Sequence, residues 1–140
     1  MKSMLGVCLI AVGLWGLLNA QDPTKLVLRE GIHVEMATAS HAVEMPAADK
    51  EDATVVSVTR EGKVYVGVQP VEIERLANLS ATAVYVKADA RASFQQVLKV
   101  LNVLERHSLV LLTAPTTKAA PGSIARPYGM EVRIGSGQPR

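Results

Sequence analysis

The chain has 140 residues, 49% of them hydrophobic and 20% charged, with a formal net charge of +2 at pH 7. This length suits one domain with short appendages. The nearly balanced charge argues against a nucleic-acid-binding surface. The single cysteine, Cys8, excludes an intrachain disulfide or a cysteine metal site in this sequence. We therefore expect a domain held together by apolar packing, without a cofactor.

The N-terminal segment combines Lys2, a charge-free apolar run from Met4 to Leu18, and Ala20. This order is typical of a secretory signal peptide cleaved after Ala20. The run is also close to the shortest length that spans a membrane, about 17 residues. Residues 1–20 are therefore predicted to be a signal peptide or an N-terminal membrane anchor. Either one places the rest of the chain outside the cytoplasm.

Residues 21–30 are predicted to form a spacer, and the segment GIHVEM (31–36) to form a half-buried strand. Apolar and polar side chains alternate in this segment, which is the two-residue period of a strand. The residues concerned are Ile32, His33, Val34, Glu35 and Met36. The following stretch, residues 37–52, is rich in small, polar and charged residues and contains Pro46, so it predicts a loop.

A β-hairpin is predicted around Glu61-Gly62, because valines recur at two-residue spacing on both sides and Gly62 can adopt a positive φ. These valines are Val56, Val58, Val64, Val66 and Val68. The next stretch, QPVEIERLANL, predicts a helix with Pro70 in its first turn and with Ile73 and Leu76 on one face.

A second strand, TAVYVKAD, leads into the strongest helix pattern of the chain. Ser93 followed by Gln96 forms a capping-box pattern at its start. A predicted apolar stripe then contains Phe94, Val97, Leu98, Leu101 and Leu104. The run SLVLLTAP predicts a strand buried on both faces, and GMEVRI (129–134) predicts an edge strand.

This order of elements predicts an α+β fold in which two helices pack on one face of a small mixed sheet. We assign residues 31–114 to the domain and residues 115–140 to a proline-rich C-terminal extension.

Few residues of the sequence suggest chemistry. His33, His41 and His107 have no partner at metal-ligand spacing, so no metal site is predicted. Asp89 follows the end of a strand, a common position for functional residues, but no second carboxylate or base lies nearby in the sequence. We expect Asp89 and Ser93 to shape the turn and cap the helix, and therefore predict no catalytic residue. A small secreted enzyme that uses Asp89 is the alternative.

The stretch VYVKADARASFQQVLKVLNVLE resembles the strand–turn–helix core of the ExbD/TolR biopolymer-transport proteins. Lys87, Ala88, Asp89 and Phe94 occupy the positions that carry this resemblance. The hairpin and its turn into the next helix are similar to the family's first hairpin, and GIHVEM stands where the family has a short strand after its membrane segment. The resemblance covers residues 31–114.

The resemblance implies a periplasmic homodimer that works with an ExbB/TolQ-like membrane protein and a TonB/TolA-like protein. It also implies that the strand Ile32–Met36 takes part in dimer pairing and binds the TonB/TolA-like partner. The family's membrane helix carries an aspartate used in proton translocation, whereas the run from Met4 to Leu18 contains no acidic residue. We therefore expect a partner-binding accessory protein. A full transmembrane subunit of a proton-driven complex is the alternative.

Overall fold

The computed structural model describes residues 31–116, 121 and 126–135. The described residues form an α+β domain around a mixed seven-stranded sheet. In chain order, the strands are β1 (Val43–Glu44), β2 (Thr54–Val58), β3 (Val64–Val66), β4 (Gln69–Pro70), β5 (Ala83–Ala88), β6 (Ser108–Thr113) and β7 (Tyr128–Val132). The helices are α1 (Phe94–Val103) and the 3-10 helices Pro46–Asp49 and Ile73–Asn78. The coarse prediction, an α+β fold with a mixed sheet, is thus confirmed. The chain segments before residue 31, including both N-terminal predictions, lie outside the described residues.

The strand order of the sheet is β1-β7-β6-β5-β2-β3-β4. The central strand β5 pairs in parallel with β2 and with β6, whereas β3 and β7 are antiparallel to their inner neighbours. A parallel connection needs a crossover, and α1 lies on the crossover from β5 to β6. The carboxyl ends of β2, β5 and β6 therefore meet at one end of the sheet.

The predicted hairpin is confirmed in its register and its turn. Val56 pairs with Val66 and Val58 with Val64, and Gly62 has φ +80°. The prediction for Val68 is wrong: its side chain is exposed, because the chain turns at Gly67 and leaves β3.

The first predicted helix is not an α-helix. Gln69–Pro70 forms the edge strand β4 instead, a position that suits proline because proline has no N–H to donate to a further strand. A 3-10 helix, Ile73–Asn78, follows. Its apolar residues Ile73 and Leu76, and Leu79 just beyond it, recur every three residues, which is the period of a 3-10 helix. In place of the first of the two predicted α-helices, the chain therefore has a 3-10 helix of six residues.

The core lies mainly between the sheet and α1. Valines of β2 and β5 pack there with the fully buried Leu76, Val100 and Leu104. A smaller apolar cluster on the opposite face joins Ala48 to Val110 and Leu112. Because β6 contributes to both clusters, its prediction as a strand buried on both faces is confirmed.

The segment predicted as a loop, residues 37–52, contains β1 and the 3-10 helix Pro46–Asp49, whose Ala48 covers the second sheet face. The predicted C-terminal strand is confirmed as β7, which pairs with β6. Its Gly129 is required, because a Cβ there would lie 2.9 Å from the carbonyl oxygen of Leu111 and 3.2 Å from Met45.

The predicted apolar stripe of α1 is too wide. Leu104 is completely buried, but Phe94 is 77% and Leu98 38% exposed. At about 100° per residue, Phe94 and Leu98 lie roughly 80° and 120° around the helix axis from the centre of the buried face. The sheet can cover only the residues near that centre.

We predict that Leu104→Ala lowers the free energy of unfolding by about 2–5 kcal/mol, because it leaves a cavity in the main core. Leu98→Ala removes the same atoms from the helix surface and should cost about 1 kcal/mol or less. Urea denaturation of both variants measures the difference. Equal losses would contradict this account of the buried face.

Candidate functional site: the segment docked on Asp89

Asp89 lies directly after β5, at the end of the sheet where the parallel strands finish. Its backbone N–H donates to the carbonyl of Val58 at the end of β2, and its own carbonyl accepts from Ala92 at 2.9 Å. These bonds close a turn that delivers the chain to Ser93 and α1. The predicted role of Asp89 in shaping the turn agrees with this geometry.

The Asp89 carboxylate is held by Arg91. Oδ1 accepts from the Arg91 backbone N–H at 3.0 Å and from Nε at 2.9 Å, and Oδ2 accepts from Nη2 at 3.1 Å. A paired guanidinium is the strongest common partner for a carboxylate. Arg91 was not among the residues predicted from the sequence. The Asp-x-Arg spacing was the available signal, but it becomes informative only when a turn brings both side chains together.

The same carboxylate holds the segment that the sequence resemblance identifies as partner-binding. The backbone N–H of Glu35 donates to Asp89 Oδ2 at 3.2 Å, and the N–H of Ala90 donates to the Glu35 carbonyl at 2.7 Å. The Glu35 side chain reaches Arg91, with 3.3 Å between Oε2 and Nη2. Glu35, Asp89 and Arg91 are called the Asp89 clamp below.

Beyond the clamp, the segment continues across the end of the sheet. Met36 forms an antiparallel bridge with Asp89, and Thr38 forms a parallel bridge with Ala114 just after β6. The N–H of Ala114 donates to the Ala37 carbonyl at 2.9 Å. The structure therefore brings together residues 31–36 and 87–91, two stretches that the sequence predicts as separate elements.

Before the clamp, the segment is not a sheet strand. The predicted alternation is confirmed, because Val34 is buried and Ile32 and Met36 are half-buried while His33 and Glu35 are exposed. The predicted strand is wrong in one respect: only Met36 of these five residues bridges another chain segment. The reason is that the segment lies across the ends of β5 and β6, where it cannot run beside either strand. Among the described residues, none hydrogen-bonds to the backbone of Ile32, His33 or Val34.

Charge stabilises the clamp. The hydrogen bonds from the Arg91 side chain, followed by the one from its backbone N–H, hold the pKa of the Asp89 carboxyl well below its usual range. The hydrogen bond to Asp89 in turn raises the pKa of Arg91. Asp89 is only 7% exposed, and both of its oxygens are occupied by N–H groups. This carboxylate is arranged as a fixed anchor for the backbone rather than as a base open to a substrate.

Lys87 lies at the other end of the docked segment. A Cβ on Gly31 would be 3.4 Å from Lys87 Nζ, and burial lowers the pKa of this ammonium. Its ladder neighbour on β2 is Ser57, whose buried hydroxyl has no hydrogen-bond partner among the described residues. A serine beside a lysine of lowered pKa can form a nucleophilic pair. Here Ser57 is 0% exposed, so no substrate can reach its hydroxyl in this conformation.

The predicted capping box does not form. Ser93 occupies the N-cap position but its side chain makes no capping hydrogen bond. The side chain of Gln96 instead donates from Nε2 to the carbonyl of Gly62 at 2.9 Å, across to the hairpin turn. Because Gly62 lies within reach of the helix start, Gln96 joins two elements of the fold and does not close its own helix end.

The three histidines do not converge. His107 places its two ring nitrogens 3.2 Å from the Leu104 carbonyl and 3.0 Å from the Leu79 carbonyl, so it joins the end of α1 to the chain after the second 3-10 helix. His41 contacts Ser40, and His33 is exposed. Within the described part of the chain, no three histidine, cysteine or acidic residues are grouped to hold a metal ion.

Comparisons with known proteins add no relative: no protein-family model and no curated protein matches this sequence. Among residues 31–116, 121 and 126–135, no helix has the length and apolar character needed to cross a membrane.

We predict that Asp89→Asn destabilises the domain at neutral pH and removes one source of its acid sensitivity. The folded-state pKa of Asp89 lies below the unfolded value of about 3.9. The carboxylate therefore contributes its full stability above about pH 5, and this contribution is lost progressively as the pH falls below about 4.

Urea denaturation at pH 7 and at pH 3 tests this prediction. The difference in free energy of unfolding between wild type and Asp89→Asn should be smaller at pH 3 than at pH 7. Asp52→Asn is the matched control, because Asp52 is exposed and its replacement should change stability little at either pH. If the difference in free energy of unfolding between wild type and Asp89→Asn is the same at both pH values, the ionised Asp89 carboxylate does not stabilise the clamp.

Proposed function

We propose that this protein is an ExbD/TolR-like accessory component of an energy-transducing transport system of the cell envelope. It acts by binding other proteins through the segment Ile32–Met36, and it is not a catalyst. The observation that carries the proposal is the one-sided attachment of this segment. The Asp89 clamp fixes Glu35 and Met36, whereas Ile32, His33 and Val34 have backbone groups that no other described residue pairs with.

Such a segment is suited to bind another chain by strand addition. An extended peptide pairs its N–H and C=O groups with unpaired backbone groups, and alternate side chains then give specificity. The clamp fixes one end of the segment, which lowers the conformational entropy that must be lost on binding. His33 is exposed and available to a partner's side chains, whereas the exposed Glu35 side chain is already paired with Arg91.

The order of elements supports the family resemblance. The β2–β3 hairpin precedes the 3-10 helix, and β5 leads through the Asp89 turn into α1. The proposal includes the arrangement that the family resemblance implies, in which two helices pack on one face of the sheet. Leu76 of the 3-10 helix and Val100 of α1 belong to one apolar cluster, which is consistent with such a layer. Lys87 and Asp89, which carry the resemblance, are the residues that flank the docked segment.

We propose a homodimer in the periplasm that meets an ExbB/TolQ-like membrane protein and a TonB/TolA-like protein. The N-terminal run from Met4 to Leu18 serves as a signal peptide or a membrane anchor. It contains no acidic residue, so any proton relay of the complex must use carboxylates of another subunit. The role left to this chain is recognition.

We predict that a photo-cross-linking amino acid at position 33, in the full chain produced in its own cells, captures a TonB/TolA-like protein. The same probe at Lys99, which is exposed on α1, should capture it much less, because the proposed contact does not include α1. Mass spectrometry identifies the adduct. Equal capture from both positions, or no envelope protein at position 33, would overturn the proposed function.

A backbone test separates strand addition from side-chain contact. Successive residues of an extended chain direct their N–H groups to opposite edges. For this test the photo-cross-linking amino acid is placed at position 35. One of the two variants Ile32→Pro and His33→Pro should then lose an N–H that pairs with the partner, and cross-linking from position 35 should weaken. Ile32→Ala and His33→Ala are the matched controls, since they keep the N–H. If each proline variant behaves like its alanine control, the segment does not bind by backbone pairing.

A further inference from the structure

The outer edge of β7 is only partly covered. β1 pairs with Tyr128 and Gly129 alone, whereas β6 pairs with the whole of β7, from Tyr128 to Val132. In the part of the chain that the structure describes, no strand lies beside Met130, Glu131 and Val132 on the outer side. An edge of this kind leaves backbone groups open to another chain.

The ladder shows which residues face outward. In an antiparallel pair, every second residue directs both its N–H and its C=O to the same neighbour. The N–H of Met45 donates to the Pro127 carbonyl at 2.7 Å, and the Val43–Gly129 pair lies two residues further along. The odd-numbered residues of β7 therefore face the outer edge. The next two in this series, Glu131 and Arg133, have no strand beside them among the described residues.

The side chains alternate in the same way beyond the end of the ladder. Glu131 and Arg133 are exposed, while Val132 and Ile134 are half-buried and pack against the main core. Unlike charges thus stand two residues apart on the outward-pairing positions. The apolar residues that alternate with these charges, Val132 and Ile134, point to the core side of the sheet.

We propose that this edge binds a second copy of the same chain, with the two β7 strands antiparallel about a two-fold axis at Val132. Glu131 of each copy then stands opposite Arg133 of the other in a hydrogen-bonded pair. Val132 stands opposite Val132 of the second copy in a non-hydrogen-bonded pair. This interface joins two sheets edge to edge and is distinct from the segment Ile32–Met36, to which the family resemblance assigns both dimer pairing and partner binding.

Charge selects this register over its neighbours. An axis at Glu131 would place Glu131 opposite itself, and an axis at Arg133 would place Arg133 opposite itself. Parallel pairing in register would oppose like charges at both positions. Directly opposed like charges destabilise a pair of strands, whereas unlike charges stabilise it. An isologous contact also closes on itself, so the edge is used up by two copies and does not propagate into a fibre.

A single cysteine at the axis tests the geometry. Facing Cα atoms of a non-hydrogen-bonded pair lie about 4.5 Å apart, within the range that a disulfide bridges. In the full chain carrying Cys8→Ser, Val132→Cys should therefore form a disulfide-linked homodimer in cells under mild oxidation. Val68→Cys is the control, because Val68 is exposed after β3, away from β7. No dimer from Val132→Cys, or a link to a different protein, overturns the proposal.

A charge exchange tests the register. Added to Val132→Cys, Glu131→Arg or Arg133→Glu opposes like charges twice, once on each side of the axis, and should reduce the yield of linked dimer several-fold. The double exchange restores unlike pairs and should restore the yield. If the single variants link as well as the parent, or the double variant links no better than the singles, the register is wrong. A dimer seen by native mass spectrometry but not linked at Val132 would refute this interface and leave the proposed partner-binding role standing.

Discussion

The contacts of the Asp89 carboxylate determine how the chain is arranged at the end of the sheet where the parallel strands β2, β5 and β6 finish. It is nearly buried, and it accepts hydrogen bonds from three N–H groups of Arg91 and from the backbone of Glu35. One charge therefore shapes the turn before α1 and fixes an otherwise separate segment across the sheet. Removing either partner would leave a poorly solvated charge, which is costly, so the turn and the segment stabilise each other.

This clamp has a defined position because β5, which leads directly into Asp89, is paired with a strand on each side. β5 is the middle of three parallel strands, and its Val84 and Val86 are completely buried. The pairings with β2 and β6 fix where β5 ends and thus where Asp89 lies. Packing of Val100 and Leu104 against the same core fixes the start and direction of α1. The hydrogen bond from Gln96 to Gly62 adds a second tie between α1 and the hairpin.

The two proposed contacts both depend on unpaired backbone N–H and C=O groups, at two different places in the fold. Both Ile32–Val34 and the outer edge of β7 present backbone groups without a partner among the described residues. They differ in what selects the bound chain. The first is a segment that is held at one end and exposes His33 to a partner. The second is a regular strand edge whose unlike charges, Glu131 and Arg133, match a second copy of themselves.

The sequence by itself determined the features that depend on local spacing. These are the valine hairpin around Gly62, the strands β5 and β6, the position of α1 after Ser93, and the alternation of Ile32–Met36. Tertiary structure decided how these parts meet. The buried face of α1 excludes Phe94 and Leu98 because the sheet covers only one side of the helix, and Gln96 bonds the hairpin because the turn lies beside it. The Asp89 clamp joins residues 54 positions apart; local spacing reports nothing about such a contact, because only the folded chain brings the two stretches within hydrogen-bonding distance.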